Sequence, residues 1–291
     1  MIAEERGQRH HLLAERLEDA LRASSSVENV NGEKPGAGFS ILTPKRPLSN
    51  LVLPDLVRES VEELIEEQQR AEVLRAHGLE PRHRVLLTGP PGNGKTSLAS
   101  GIAEALLLPV VFVRYEEVIG SYLGETAARL AKVFSFARTR RCVLFFDEFD
   151  AVAKERGDEH ETGEIKRVVS SLLLQVDAMP SHVIVIGASN HPELLDRAVH
   201  RRFQLRLELP VPGKVARVAW FERFLAELGE PVGMNAETLA KKTAAASFSQ
   251  LQDLSEDIKR HEVLEPGVSM RRLVSERLRR WREVSALDSH A

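Results

Sequence analysis

From about residue 85 the chain alternates short apolar runs with amphipathic stretches. The runs Val85–Leu87, Pro109–Val113, Cys142–Phe146, Val183–Ile186 and Phe203–Leu209 are mostly bounded by Gly, Asp, Asn or Pro, as strands buried on both faces of a parallel sheet are. Between them, Thr96–Leu107, Thr126–Ala137 and Glu164–Val176 carry helical periodicity. Such alternation predicts an α/β fold, a parallel sheet covered by helices on both faces. Upstream, Val57, Val61, Leu64 and Ile65 mark one face of a helix after Pro54, and Leu13, Leu17 and Leu21 mark another near the start. The Ser-, Asn-, Gly- and Pro-rich stretch up to about Pro47 predicts a linker. After Pro210-Val211-Pro212-Gly213 the strands stop, and helices are expected at about Lys214–Leu228, Ala236–Ala244, Ser249–Val263 and Ser269–Val284. The predicted division is an N-terminal helix and flexible linker (1–47), an α/β domain (48–212) and an α-helical domain (213–291).

Composition narrows the function classes. Forty Lys and Arg against 43 Asp and Glu leave a net charge of −3, which argues against a globally basic nucleic-acid binder but leaves a local patch open. The single cysteine, Cys142, excludes an intrachain disulfide framework and fits a reducing compartment. The longest apolar stretch, Ala105–Val113, is far too short to span a bilayer, and the charged N-terminus lacks a signal-peptide core. A cytoplasmic address is expected, with no membrane partner.

The chemistry is concentrated at strand ends. Gly89-Pro90-Pro91-Gly92-Asn93-Gly94-Lys95-Thr96 matches G-x-x-x-x-G-K-[ST], with a predicted strand before it and a helix after it. Glycines let backbone N–H groups turn toward phosphates, and the helix N-terminus, continuing through Ser97, adds its positive dipole end. Lys95 supplies a mobile charge to the β- and γ-phosphates, and Thr96 offers a hydroxyl to Mg2+. The apolar run Val143–Phe146 ends in Asp147 and Glu148. A buried strand delivers that pair to the carboxyl edge of the sheet, where Asp147 can hold the metal shell and Glu148 can polarise an attacking water. Asp150 suits an N-cap as well as a catalytic role. Val183–Ile186 leads to Asn190, whose amide could hold the nucleophilic water, although Asn also ends many strands as a turn residue.

Taken together, GPPGNGKT, the FFDEFD strand, the ASN strand end and the following Pro192-Glu193-Leu194-Leu195-Asp196 resemble the AAA+ ATPases, in the AAA subgroup that remodels proteins. The resemblance runs from about Leu51 to Leu264. It implies a P-loop NTPase αβα sandwich with a five-stranded parallel sheet and a small α-helical lid, with ATP and Mg2+ as cofactors. It also implies a homo-oligomeric, hexameric ring with nucleotide between neighbours. In Leu195-Asp196-Arg197-Ala198-Val199-His200-Arg201-Arg202 the family's two arginines stand adjacent, a shortened form of its pattern. By that resemblance Arg201 is the trans-acting finger and Arg202 its support. Tyr122, Leu123 and Gly124 resemble the family's pore loop, which grips extended polypeptide; Arg156–Gly163 reads equally as a second channel loop or a solvated one. Ser249 resembles the N-cap of the lid's third helix.

The function this implies is ATP-driven unfolding or remodelling of a protein substrate or a separately encoded partner. The alternative is a nucleic-acid-linked AAA+ protein, such as a helicase loader, using the six arginines of Arg271–Arg282. That stretch also carries an apolar face, Val274, Leu278 and Trp281, which fits simple packing on the lid.

Overall fold

A computed structural model describes residues 38–44, 47–114, 123–150, 162–228, 232–265 and 267–288. The predicted N-terminal helix, Tyr122 of the pore loop and 156–161 of the second channel loop lie outside the described residues. Leu123 and Gly124 stand at the start of a helix.

The strands are β1 (Phe39–Leu42), β2 (Arg84–Thr88), β3 (Val110–Val113), β4 (Cys142–Phe146), β5 (Val183–Ser189) and β6 (Leu205–Glu208). The helices are α1 (Asp55–Gln69), α2 (Ala71–Ala76), α3 (Lys95–Ala105), α4 (Leu123–Arg138), α5 (Thr162–Asp177) and α6 (Arg197–Arg202), then α7 (Lys214–Glu227), α8 (Ala236–Lys242), α9 (Phe248–Leu264) and α10 (Met270–Asp288). Short 3-10 turns occupy Leu48–Asn50 and Pro192–Leu194.

The sheet runs β1-β3-β4-β5-β2-β6. All five predicted strands are present and pair in parallel. The sixth corrects the expected count. β1 pairs antiparallel with β3, Phe39 opposite Val113, within the stretch read as linker. A four-residue edge strand, none of it buried, carries no alternation strong enough to stand out beside Gly and Pro.

Alternation within each central strand builds two cores. Val85, Leu87, Val143, Phe145, Ile184 and Ile186 face α1 and α3. Leu86, Leu144, Phe146, Val183 and Val185 face the helices on the other side, meeting Val133 and Phe134 of α4 and Leu172 and Val176 of α5. A third core, built on Phe221, Leu239, Leu251 and Val274, holds α7–α10 together. Ser247, not Ser249, caps α9: its hydroxyl accepts from the Gln250 N–H at 3.3 Å while the Gln250 side-chain Oε1 accepts from the Ser247 N–H at 2.9 Å. This reciprocal pair satisfies two N–H groups at the helix entrance, which Ser249, already inside the helix, would not do.

Candidate functional site

Strand order brings the chemistry together. β4, β5 and β2 are consecutive neighbours, about 4.8 Å apart. Their carboxyl ends carry Asp147 and Glu148, then Asn190, then the glycine-rich loop. One cleft of about 670 Å³ is lined by Pro91 through Ser97, Asp147, Glu148 and Asn190. All but two of the predicted phosphate-loop residues therefore meet in one place. The carbonyls of the remaining two, Gly89 and Pro90, accept from the Lys95 ammonium.

The loop's shape depends on its glycines. Gly89 has φ +134°, and a Cβ there would stand 2.2 Å from the Leu209 carbonyl oxygen. No side chain fits, so this glycine is needed for close approach to the end of β6. Gly94 has φ +90° and ends the loop directly before α3, whose first residue is Lys95. The Lys95 ammonium is buried and donates to the Gly89 carbonyl at 2.6 Å and the Pro90 carbonyl at 3.0 Å. Burial pushes its pKa down; Asp147 and Asp150 push it back up.

Asp147 follows the last residue of β4. Burial raises its carboxyl pKa, partly offset by the Glu148 N–H, which donates to Oδ1 at 3.0 Å, and by the Lys95 charge. Glu148 has φ +50°, an unusual conformation for a residue with a Cβ. Such a conformation costs of order 1 kcal/mol or more and persists where the surroundings impose it. The surroundings are visible: the next residue, Phe149, donates its N–H to the Ala188 carbonyl at 2.7 Å. Its ring packs edge-on against Phe203 at 5.6 Å and Phe146 at 6.2 Å. The strand end is anchored below, so the chain turns sharply at Glu148, which lines the cleft. Asp150 is buried and accepts the Asn190 N–H at 3.2 Å, tying the end of β5 to the end of β4.

Thr96 and Asp147 offer a hydroxyl and a carboxylate on the same cleft. Hard oxygen donors of this kind fit Mg2+ completed by phosphate oxygens and water. Among the described residues no three His, Cys, Asp or Glu side chains converge as a metal cage.

Arg201 and Arg202 are not among the described residues that line this cleft, and they differ from each other. Arg202 pairs with Asp177 at 2.9 Å and donates to the Ala198 carbonyl at 3.0 Å. Arg201 is exposed. The α6 helix that carries both is capped by Asp196, which accepts from the Ala198 and Val199 N–H groups at 2.7 and 3.0 Å.

Sequence reasoning missed the other walls. Asn50–Leu53 form one side, and Trp220, Phe224 and Phe248 of the helical part form another, with Trp220 and Phe248 rings 5.6 Å apart. An apolar, aromatic wall beside a phosphate loop suits a planar base. Residues 50–53 carry no local signal for this; Trp220, one of two tryptophans, was the only available hint. The Ser249 N–H also donates to the Gly92 carbonyl at 2.9 Å, so α9 rests directly on the phosphate loop.

A family model described as ATPase family associated with various cellular activities (AAA) matches residues 85–211. The chain is similar to the uncharacterized AAA family ATPase y4kL of Sinorhizobium fredii, 46% identical over 160 residues, 55% of this chain and 45% of that protein. It is 34% identical over 208 residues to a Cell division cycle protein 48 homolog of Archaeoglobus fulgidus, covering 68% of this chain and 28% of that one. With Peroxisomal ATPase PEX6 of Pichia angusta it shares 36% identity over 211 residues, 68% of this chain and 19% of the other. The chain spans less than half the length of each of these relatives. The matched stretch begins in β2, ends just past β6, and contains the glycine-rich loop, the acidic pair, Asn190 and both arginines. Over residues 85–211, then, this chain matches the AAA family of ATPases.

Proposed function

We propose that the protein hydrolyses ATP in this cleft and uses the turnover to remodel another protein. The observation that carries the reading is the convergence of Lys95, Asp147, Glu148 and Asn190 on one cleft beside the phosphate loop. In the proposed reaction the loop N–H groups and Lys95 hold the β- and γ-phosphates. Thr96 and Asp147 would hold Mg2+, which would neutralise phosphate charge. Glu148 orients and polarises the attacking water, and Asn190 fixes it from the side.

The domain division follows the same reading: 48–212 binds nucleotide and 213–291 acts as a lid. Ser249 on Gly92 supports a mechanical link between them. A ligand that fits one lid position better than another shifts the population toward it.

The ring reading draws on relatives whose names include a Cell division cycle protein 48 homolog and a peroxisomal ATPase. In a hexameric ring Arg201, free of its own cleft wall, would reach a neighbour's γ-phosphate, and the Asp177-paired Arg202 would position it. Tyr122, Leu123 and Gly124 would contact polypeptide in the central channel, and the N-terminal arm would dock substrate or partner. No helix among the described residues is long and apolar enough to cross a membrane. A cytoplasmic address agrees with the lone, buried Cys142.

Glu148→Gln tests the reading. Nucleotide affinity should stay within about threefold of wild type while hydrolysis falls by roughly 10²–10⁴, and a pull-down with the ATP-loaded variant should retain a substrate protein. Turnover matching wild type would remove Glu148 from the role. The second reading, a nucleic-acid-linked ATPase, is favoured by the exposed arginines of α10. Its signature is DNA binding that weakens steeply with salt.

A further inference from the structure

Two exposed helix faces of opposite charge stand on the two parts of the molecule. On α10, Arg271, Arg272, Arg279 and Arg282 are exposed. At 100° per residue they fall within an arc of about 100° and span about 16 Å of helix. The apolar residues of the same helix, Leu273, Val274 and Leu278, are buried against the lid, so packing has already claimed the opposite side. Arg277, also facing inward, is buried beside Asp257 at 3.9 Å. Glu276 and Glu283 flank the arginine face, and only a loose 3.9 Å contact joins Arg279 to Glu283.

On α1, Asp55, Glu59, Glu62 and Glu66 are exposed, while Val57, Val61 and Leu64 are buried in the sheet's core. These carboxylates recur at spacings of four, three and four, an arc of about 60° and again about 16 Å. Glu66 is paired with Arg70 at 2.7 Å at the end of the stripe. Glu63 is turned aside to Arg82 at 2.9 Å.

Two stripes of equal length and opposite sign, on different helices of one chain, are complementary between copies. The geometry points to a head-to-tail contact in which the arginine stripe of α10 on one copy lies along the carboxylate stripe of α1 on the next. This inference rests on the assembly proposed above and names the surface that would make it. A contact between two different patches propagates around a ring, whereas a patch that meets itself stops at a dimer. Exposed charges of this kind govern encounter and register more than core burial does. Association through them should therefore weaken with salt.

The test uses the full chain with ATP and magnesium, followed by sedimentation velocity at low and moderate salt. Arg279→Glu/Arg282→Glu should weaken assembly at least about tenfold, and Glu59→Arg/Glu62→Arg should do the same. All four positions are exposed, so each variant should keep the wild-type unfolding temperature. Mixing the two variants places opposite charges face to face again and should restore assembly. A wild-type chain that assembles, with variants that assemble equally well, would overturn this contact and leave the ring standing. A wild-type chain that stays monomeric would overturn both. Loss of DNA binding by the arginine variant, with its assembly intact, would assign α10 to nucleic acid instead.

Discussion

The two ends of one sheet treat their polar groups differently. At the amino ends of the strands, bonding is largely complete. The Gln68 amide donates to the Arg82 and Ser181 carbonyls at 2.8 and 3.2 Å. The Gln204 oxygen accepts from the His83 and Arg84 N–H groups at 2.9 and 3.1 Å. Arg82 grips Glu67 at 2.7 Å, and although burial works against it, this bonding holds the Glu67 carboxyl below its usual pKa. The exceptions are side-chain nitrogens of His83 and Arg84, buried without a hydrogen bond of good geometry; burial also lowers the His83 pKa. At the carboxyl ends, burial instead disfavours the charged forms of both Lys95 and Asp147, and Glu148 stands at positive φ. One end is built for stability. The other holds charge and strain that a polyphosphate with its metal would relieve, as sites that trade stability for function do.

That contrast can be broken most forcefully at Lys95. Lys95→Met should cut ATP hydrolysis by roughly 10²–10³, the scale of losing one preorganised donor to transition-state charge. The nucleotide-free protein should melt within a few degrees of wild type, because removing a buried charge offsets the loss of two hydrogen bonds to the Gly89 and Pro90 carbonyls. Phosphate release and a thermal scan read both, and a clear fall in melting temperature would erase the distinction drawn here. The reverse result is expected at the other end. Gln68→Leu strands two carbonyls and should cost about 1–3 kcal/mol in urea unfolding. Its turnover per folded molecule should stay at the wild-type value; a large loss of activity would show that the amino end also serves the chemistry.

The smallest effect concerns pH. Burial raises the Asp147 pKa above its ordinary 3.8, so the folded, nucleotide-free protein holds that proton more tightly than the unfolded chain. Stability from this group is present below the unfolded pKa and is lost as pH rises through the folded one. Asp147→Asn removes this titrating group. Across that window, in chelator, the variant's melting temperature should fall less with rising pH than wild type's, or rise more. Parallel curves would mean that the carboxyl is better solvated than its burial implies.

Much of this was legible in the chain. Four of the five parallel strands follow from short apolar runs, because a strand buried on both faces needs no alternation and tolerates few polar residues; β6 instead alternates, with Arg206 and Glu208 exposed. The glycine-rich loop was legible because one backbone shape demands glycine where Gly89 meets Leu209. The helices after Pro212 are legible from periodicity, but the cap of α9 is not, since Ser247 and Ser249 are each followed three residues later by Gln and only the fold shows that Ser247 makes the box. β1 was missed because an edge strand is specified by its partner, β3, rather than by its own pattern.

The sequence alone determined which chemical groups exist and that each stands at the end of an apolar run: Lys95 after one, Asp147 and Glu148 after another, Asn190 after a third. Only the tertiary structure decided that these ends are neighbours. Strand order, β4 beside β5 beside β2, is a long-range choice that no local pattern encodes. The same holds for the positive φ of Glu148, imposed by Phe149 bonding to β5, and for the wall of Trp220 and Phe248 that meets Asn50–Leu53 across the cleft. Local propensity sets what a segment can become; only packing against distant segments sets where its functional groups meet.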